Sequence, residues 1–151
     1  MRNRTSVIFL LTAITLAISL QTAASTLDKK ATDVAINKYL ATQKTAEEDA
    51  QSIESSIADL NSDGKPEIVL LWASMGPTYA STNLTVLTDA GKGYTPAATF
   101  GLNGQSDAVT VKNGVILVDQ QVLDKNDPLC CPSLKKVGKY RWSGNKLLEL
   151  K

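Results

Sequence analysis

Beyond Ser52 the chain is interrupted at short intervals by residues that favour tight turns: Ser62-Asp63-Gly64, Asp89-Ala90-Gly91-Lys92-Gly93, Asn113-Gly114 and Ser143-Gly144-Asn145. Between them apolar and polar side chains alternate, the two-residue period of a half-buried strand. That cadence restricts the chain to antiparallel hairpins, because each turn returns a strand beside the one before it. Asn113-Gly114 is the sharpest of these signals: a two-residue type I′ turn needs positive φ at both central positions, which Asn and Gly accept. It joins residues 108–112 to 115–123, and near the C-terminus residues 147–150 can pair back across Ser143-Gly144-Asn145. Residues 67–73 place Ile68, Leu70 and Trp72 on one face and Val69, Leu71 and Ala73 on the other. Apolar on both faces, this strand belongs in the middle of a sheet. Pro96 lacks an N–H for the ladder and marks residues 94–100 as an edge or a bulge.

The N-terminal part has a different period. Thr26 can cap a helix with Asp28 in its first turn, and residues 27–43 set Leu27, Ala31, Val34 and Ala35 on one arc, widened by Ile36, Tyr39 and Leu40. Residues 44–51 turn polar and acidic and read as a connector or a short helical extension. The expected product is one α+β domain over residues 25–151, an N-terminal helix packed on an antiparallel β-meander of about 7–8 strands.

Ahead of the helix, an uncharged apolar run over residues 7–20 follows Arg2 and Arg4 and gives way to Gln21-Thr22-Ala23-Ala24-Ser25. This is the pattern of a secretory signal peptide, residues 1–24, and the run falls short of the roughly 20 apolar residues of a membrane span. A periplasmic or secreted product is expected, with no stable membrane insertion after cleavage. Without Arg2 and Arg4, fourteen basic side chains stand against fifteen acidic ones, a balance that predicts neither a nucleic-acid footprint nor a membrane-surface patch. Histidine is absent from the whole sequence. That removes Ser-His-Asp and Cys-His nucleophile systems, imidazole zinc ligands and imidazole general bases.

The most chemically pointed segment is Asp59-Leu60-Asn61-Ser62-Asp63-Gly64-Lys65-Pro66-Glu67, with side-chain oxygens at relative positions 1, 3, 5 and 9 and glycine at position 6. Calcium takes six to eight oxygens at about 2.3–2.6 Å, so a loop wrapping it must alternate ligand with spacer and bend sharply at a permissive residue. The ligand set for a bound calcium is Asp59, Asn61, Asp63, the Lys65 carbonyl and Glu67. Position 12 is Leu70, which rules out an EF-hand, where a bidentate glutamate stands there. The same residue types also build metal-free hairpins, because Asx side chains bond their own backbone. The run continues into Ile68-Val69 and is similar to the calcium hairpin loops of FG-GAP (integrin-type) propeller repeats. That resemblance implies a loop joining two strands, with the ion held by those same positions. Position 9 here is Glu where the family more usually has Asp, and with a single copy the resemblance extends to the loop and not to a propeller.

Cys130 and Cys131 are the chain's two cysteines, adjacent, in a chain expected to be exported to an oxidising compartment. A vicinal disulfide, two reduced thiols and an intermolecular bridge all remain open. No Cys-x-x-Cys motif or flanking histidine is present to lower a thiol pKa. Asp127-Pro128-Leu129-Cys130-Cys131-Pro132-Ser133, followed by Lys139-Tyr140-Arg141-Trp142-Ser143-Gly144-Asn145, resembles the C-terminal pattern of LppP/LprE-type exported lipoproteins and related uncharacterised bacterial secreted proteins. The resemblance implies a bacterial cell-envelope or secreted location and carries no catalytic activity to transfer. Those lipoproteins have an acylated cysteine at the cleavage site; residues 16–26 have none, so a soluble product without a lipid anchor is expected.

Ser74 follows the strand at 67–73 but would need a base other than histidine to act as a nucleophile. Trp72, Trp142, Tyr79, Tyr94 and Tyr140 are read as core or cross-strand pairs, with a ligand groove as the other reading. Lys135, Lys136, Lys139 and Arg141 are read as a solvated strand face. The functional expectation is an exported, non-enzymatic binding or structural protein with one candidate calcium-binding hairpin loop, acting on an unidentified envelope or extracellular ligand. The alternative is a small secreted hydrolase or thiol-redox protein using the acidic loop or the Cys130/Cys131 pair.

Overall fold

The computed structural model describes residues 27–151; the expected signal peptide and Thr26 lie outside the described residues. One helix, α1 (Lys29–Gln43), precedes eight strands: β1 (Asp49–Ala58), β2 (Glu67–Met75), β3 (Ala80–Asp89), β4 (Tyr94–Leu102), β5 (Gln105–Lys112), β6 (Val115–Val122), β7 (Leu134–Ser143) and β8 (Lys146–Glu149). They form two antiparallel four-stranded sheets in sequence order, β1-β2-β3-β4 and β5-β6-β7-β8. This corrects the expected α+β fold, a helix on one meander of 7–8 strands: the protein is mostly β, and its strands divide into two sheets packed on each other.

The reason is coverage. An α-helix is about 10 Å across and neighbouring strands are about 4.8 Å apart, so one helix covers roughly two strands. A single eight-stranded meander would leave the apolar faces of β5–β8 in water. Instead Val109, Ile116, Val118, Tyr140 and Leu147 of the second sheet meet Val69, Leu71, Leu84, Val86, Ala98 and Leu102 of the first in one core. The opposite face of the first sheet meets the helix in a second core, where Ile68, Leu70, Trp72 and Leu87 pack against Ile36, Tyr39 and Leu40.

The chain changes sheets at Asn103-Gly104. Gly104 has φ +84°, and a Cβ there would lie 2.2 Å from the Gln121 carbonyl oxygen, so the crossing needs glycine. Sequence reading passed over this pair. It looks like a hairpin turn and acts as the corner between layers.

The helix corrects two smaller expectations. Asp28 is the N-cap residue and stands before the first turn, without a side-chain cap bond. The buried stripe is Thr32, Ile36, Tyr39 and Leu40, whereas Val34 is 61% exposed. Tyr39 sets that rotation: its ring meets Trp72 edge-on at 5.9 Å. Its hydroxyl lies 3.2 Å from Thr85 Oγ1, which also accepts the Trp72 indole N–H at 2.9 Å. Thr85, fully buried, thereby satisfies two aromatic polar tips inside an apolar layer.

β2 is the central, two-faced strand that its sequence implies, pairing with β1 and β3. β4 is an edge strand whose register shifts opposite Val86 and Leu87, beside Pro96. Asn113 and Gly114 have φ +51° and +71°, both in the left-handed region that a type I′ turn demands.

Candidate functional site

The loop from Asp59 to Glu67 joins β1 to β2 at the end of the first sheet where α1 begins and where the β3–β4 turn also lies. Leu60 packs against the inter-sheet core and anchors the loop. Its backbone is folded by its own side chains. The Asp63 amide donates to Asp59 Oδ1 (3.2 Å) and Asn61 Oδ1 (2.9 Å), and the Gly64 amide donates to Asp59 Oδ2 (2.9 Å). The Lys65 amide donates to Asp63 Oδ1 (2.8 Å), while Asn61 Nδ2 donates to Asp63 Oδ2 (3.0 Å). Ser62 and Gly64 take positive φ, +61° and +84°, which draws these amides inward round the first aspartate.

Glu67 lies beneath the loop and is 1% exposed. Its Oε2 accepts the Leu60 amide at 2.7 Å, and the Thr88 hydroxyl supplies a further bond. Burial pushes the Glu67 carboxyl up from the ordinary carboxylate range; the Leu60 amide opposes this, and the charges of Asp63 and Asp59 push it further up. In the adjoining turn, Asp89 Oδ1 accepts the amides of Gly91 (2.8 Å) and Gly93 (3.0 Å). The Tyr94 hydroxyl donates to the Pro66 carbonyl at 2.8 Å and ties the two loops together. Burial, followed by the charges of Asp89 and Glu67, raises the Tyr94 phenol.

The structure thus gathers Asp59, Asn61, Asp63, Lys65 and Glu67 into one compact loop whose oxygens are the hard donors calcium takes. Among the described residues, however, no three Cys, Asp or Glu side chains stand together closely enough to hold a metal ion as they are. The aspartate oxygens are turned onto amides. An ionised carboxylate offers about four lone-pair sites, so these amide bonds leave capacity for a cation, and the donors fit in kind. Closing them round one point requires the loop to contract.

Cys130 and Cys131 are joined as a vicinal pair, with their Cα atoms 3.8 Å apart, and no free cysteine is found among the described residues. The pair sits at the exposed tip of the loop between β6 and β7, beside Leu129, which is 90% exposed. Asp127 shapes this loop. Its Oδ2 accepts the Asp124 amide (2.8 Å) and the Ser133 amide (2.7 Å), and the Ser133 hydroxyl donates to Oδ1 (2.8 Å). The bond from the Asp124 amide, then those from Ser133, hold the Asp127 carboxyl below its ordinary range.

Ser74 donates its hydroxyl to Glu48 Oε2 at 2.9 Å, and Tyr79 donates to Glu48 Oε1. The Tyr79 bond, then the Ser74 bond, lower the Glu48 pKa. A carboxylate held in its ionised form by two donors is a weak base. The trio fastens the α1–β1 connector to the end of β2, a role that sequence reading missed because Glu48 is 26 residues from Ser74. Of the five aromatics expected as core or cross-strand pairs, Trp72 and Tyr94 lie on the helix side, and Tyr140 packs against Phe100 at 5.4 Å between the sheets with Trp142 beside them. Tyr79, contrary to expectation, is 51% exposed and in neither core. Among the described residues no helix is long and apolar enough to cross a membrane. No family model, curated protein or solved structure matches this chain.

Proposed function

We propose that this chain is an exported, non-enzymatic binding protein of the bacterial envelope or its surroundings, and that its β1–β2 loop takes calcium through Asp59, Asn61, Asp63, the Lys65 carbonyl and Glu67. Glu67 is the observation that carries the reading. Burial pushes this carboxyl toward protonation, against the Leu60 amide, and the charges of Asp63 and Asp59 add to the push, so three carboxylates crowd one loop. A divalent cation would relieve that repulsion and favour ionised Glu67. The export reading rests on the leader-like residues 1–24 and on the resemblance to exported lipoproteins. The non-enzymatic reading rests on the absence of histidine and on the pairing of Ser74 with an ionised Glu48.

Calcium titration followed by thermal unfolding, at constant ionic strength, tests the loop. Extracellular calcium modules bind with Kd values of about 10⁻⁴–10⁻³ M. At free calcium tenfold above Kd the native state gains about 1.4 kcal/mol, a rise of several degrees in Tm. Asp59→Asn combined with Asp63→Asn removes both charges but keeps a side-chain oxygen at each position for the loop amides, and should abolish the rise while leaving the metal-free fold intact. An unchanged Tm and unchanged amide spectra of residues 59–67 at 10 mM calcium would overturn the proposal.

A further inference from the structure

The near-neutral net charge conceals a division between the sheets. Residues 27–102, with the helix and first sheet, carry ten acidic and six basic side chains; residues 103–151, with the second sheet, carry five acidic and eight basic ones. The basic excess is also sorted by face. Gln120, Val118 and Ile116 of β6 point into the core, so the register places Lys139 and Lys135 of β7 on the opposite, outer face, opposite Leu117 and Gln121. Arg141 pairs with Leu148 of β8, and Lys112 of β5 pairs with Val115. Two acidic side chains share this face, Asp119 and the exposed Asp107, whose Oδ2 accepts from Gln121 Nε2 at 3.4 Å, so its four cations leave it net positive. Lys136, of the other parity, is neutralised by Glu149 at 2.9 Å, whereas Lys112, Lys135, Lys139 and Arg141 enter no ion pair among the described residues.

Unlike the first sheet, this face has no layer over it within the described chain. Between its cations stand aliphatic side chains: Val137 is 51% exposed, Leu148 is 49% exposed and Leu117 is half-buried. We infer that the outer face of the second sheet docks onto an anionic lipid bilayer. The pattern decides between partners. A hydrated polyanion would satisfy the lysines and arginine but give Val137 and Leu148 no apolar surface to enter. At a bilayer the cations meet lipid phosphates while short aliphatic side chains reach the acyl boundary beneath them. The acidic helix-and-first-sheet half then points away from the negative surface, which fixes the orientation.

Co-sedimentation with vesicles of 30% phosphatidylglycerol in phosphatidylcholine, against phosphatidylcholine alone, tests the inference. The full chain is used in every arm so that residues 1–26 contribute equally. Each cation near an anionic surface changes partitioning about fivefold, so Lys139→Gln with Arg141→Gln should lower it roughly 25-fold at low salt. The charge reversal K139E/R141E should lower it more, and both losses should shrink as salt shortens the Debye length. K38E/K92E alters net charge as much as the reversal does, but on the helix-and-first-sheet half, and should leave partitioning unchanged. Circular dichroism confirms folding of each exposed-site variant. Equal losses in the two reversals, or the same loss on phosphatidylcholine alone, overturn the inference. So does a finding that K139E/R141E abolishes binding to dextran sulfate or salt-sensitive self-association while vesicle binding persists.

Discussion

The two sheets share a strand number, a meander topology and one core, yet they live in different environments. The first is covered on both faces over its central strands β2 and β3, by α1 and by the second sheet; the second is covered on one. Their sequences look more alike than this. Ile68-Val69-Leu70-Leu71 in β2 and Val115-Ile116-Leu117-Val118 in β6 are both apolar at every position. The β2 residues are fully buried, whereas Val115 and Leu117 stay partly exposed beside cross-strand Lys112 and Lys139. An unbroken apolar run therefore marks the centre of a sheet, and the chain elsewhere decides whether both faces are closed. The long aliphatic stems of lysine and arginine can partly shield such a face while their charges stay in water.

The largest expected effect tests that contrast directly. Leu70→Ala, under the helix, should cost about 3 kcal/mol, since truncating a buried leucine loses transfer energy and leaves a cavity. Leu148→Ala, on the open face of the second sheet, should fall within about 0.5 kcal/mol of wild type by denaturant unfolding. Comparable losses would show that the outer face of the second sheet is covered after all.

Gly104→Ala probes the corner where the sheets part. A side chain at that positive φ, against the Gln121 carbonyl, should cost about 2 kcal/mol. If the loss were near zero, the crossing would be free to take another path and the separation of the sheets would not depend on this residue.

The smallest effect concerns charge at the loop end of the first sheet. Because the folded pKa of Glu67 is raised, the folded protein keeps this proton after the unfolded chain has released it. The contribution of Glu67 is intact below the unfolded value, about 4.3, and is lost as pH rises from there through the folded pKa. Glu67→Gln keeps an acceptor for the Leu60 amide and removes that loss. In metal-free buffer it should be more stable than wild type at pH 7, and the advantage should vanish near pH 3. Equilibrium unfolding across that range measures it, and a pH-independent difference would contradict the raised pKa.

Local signals were read from sequence because their causes are local. The positive-φ turn at Asn113-Gly114, the two-faced β2, the break at Pro96 and the oxygen spacing of residues 59–67 each depend on a few neighbouring residues. The loop's internal bonds to Asp59 and Asp63 follow from the same Asx chemistry that suggested it. What sequence reading placed wrongly depended on distant partners. Periodicity locates a stripe only to within a residue or so and so includes Val34 in the buried arc, whereas Tyr39's fit against Trp72 and Thr85 fixes the rotation that exposes it. Glu48 went unnoticed because its partners Ser74 and Tyr79 reach it through the fold.

By itself the sequence determined four of the hairpin turns, which strand is central, that imidazole chemistry is absent and which oxygens could face a cation. Tertiary structure alone decided that eight strands make two sheets, that Gly104 is the corner, that Glu67 is buried and that Lys136 is tied to Glu149 while Lys135, Lys139 and Arg141 enter no ion pair among the described residues. The physical reason is the range of the forces involved. Backbone conformation and turn chemistry are settled within a few residues, whereas covering apolar area is a property of the whole chain, and one helix is too narrow to cover eight strands.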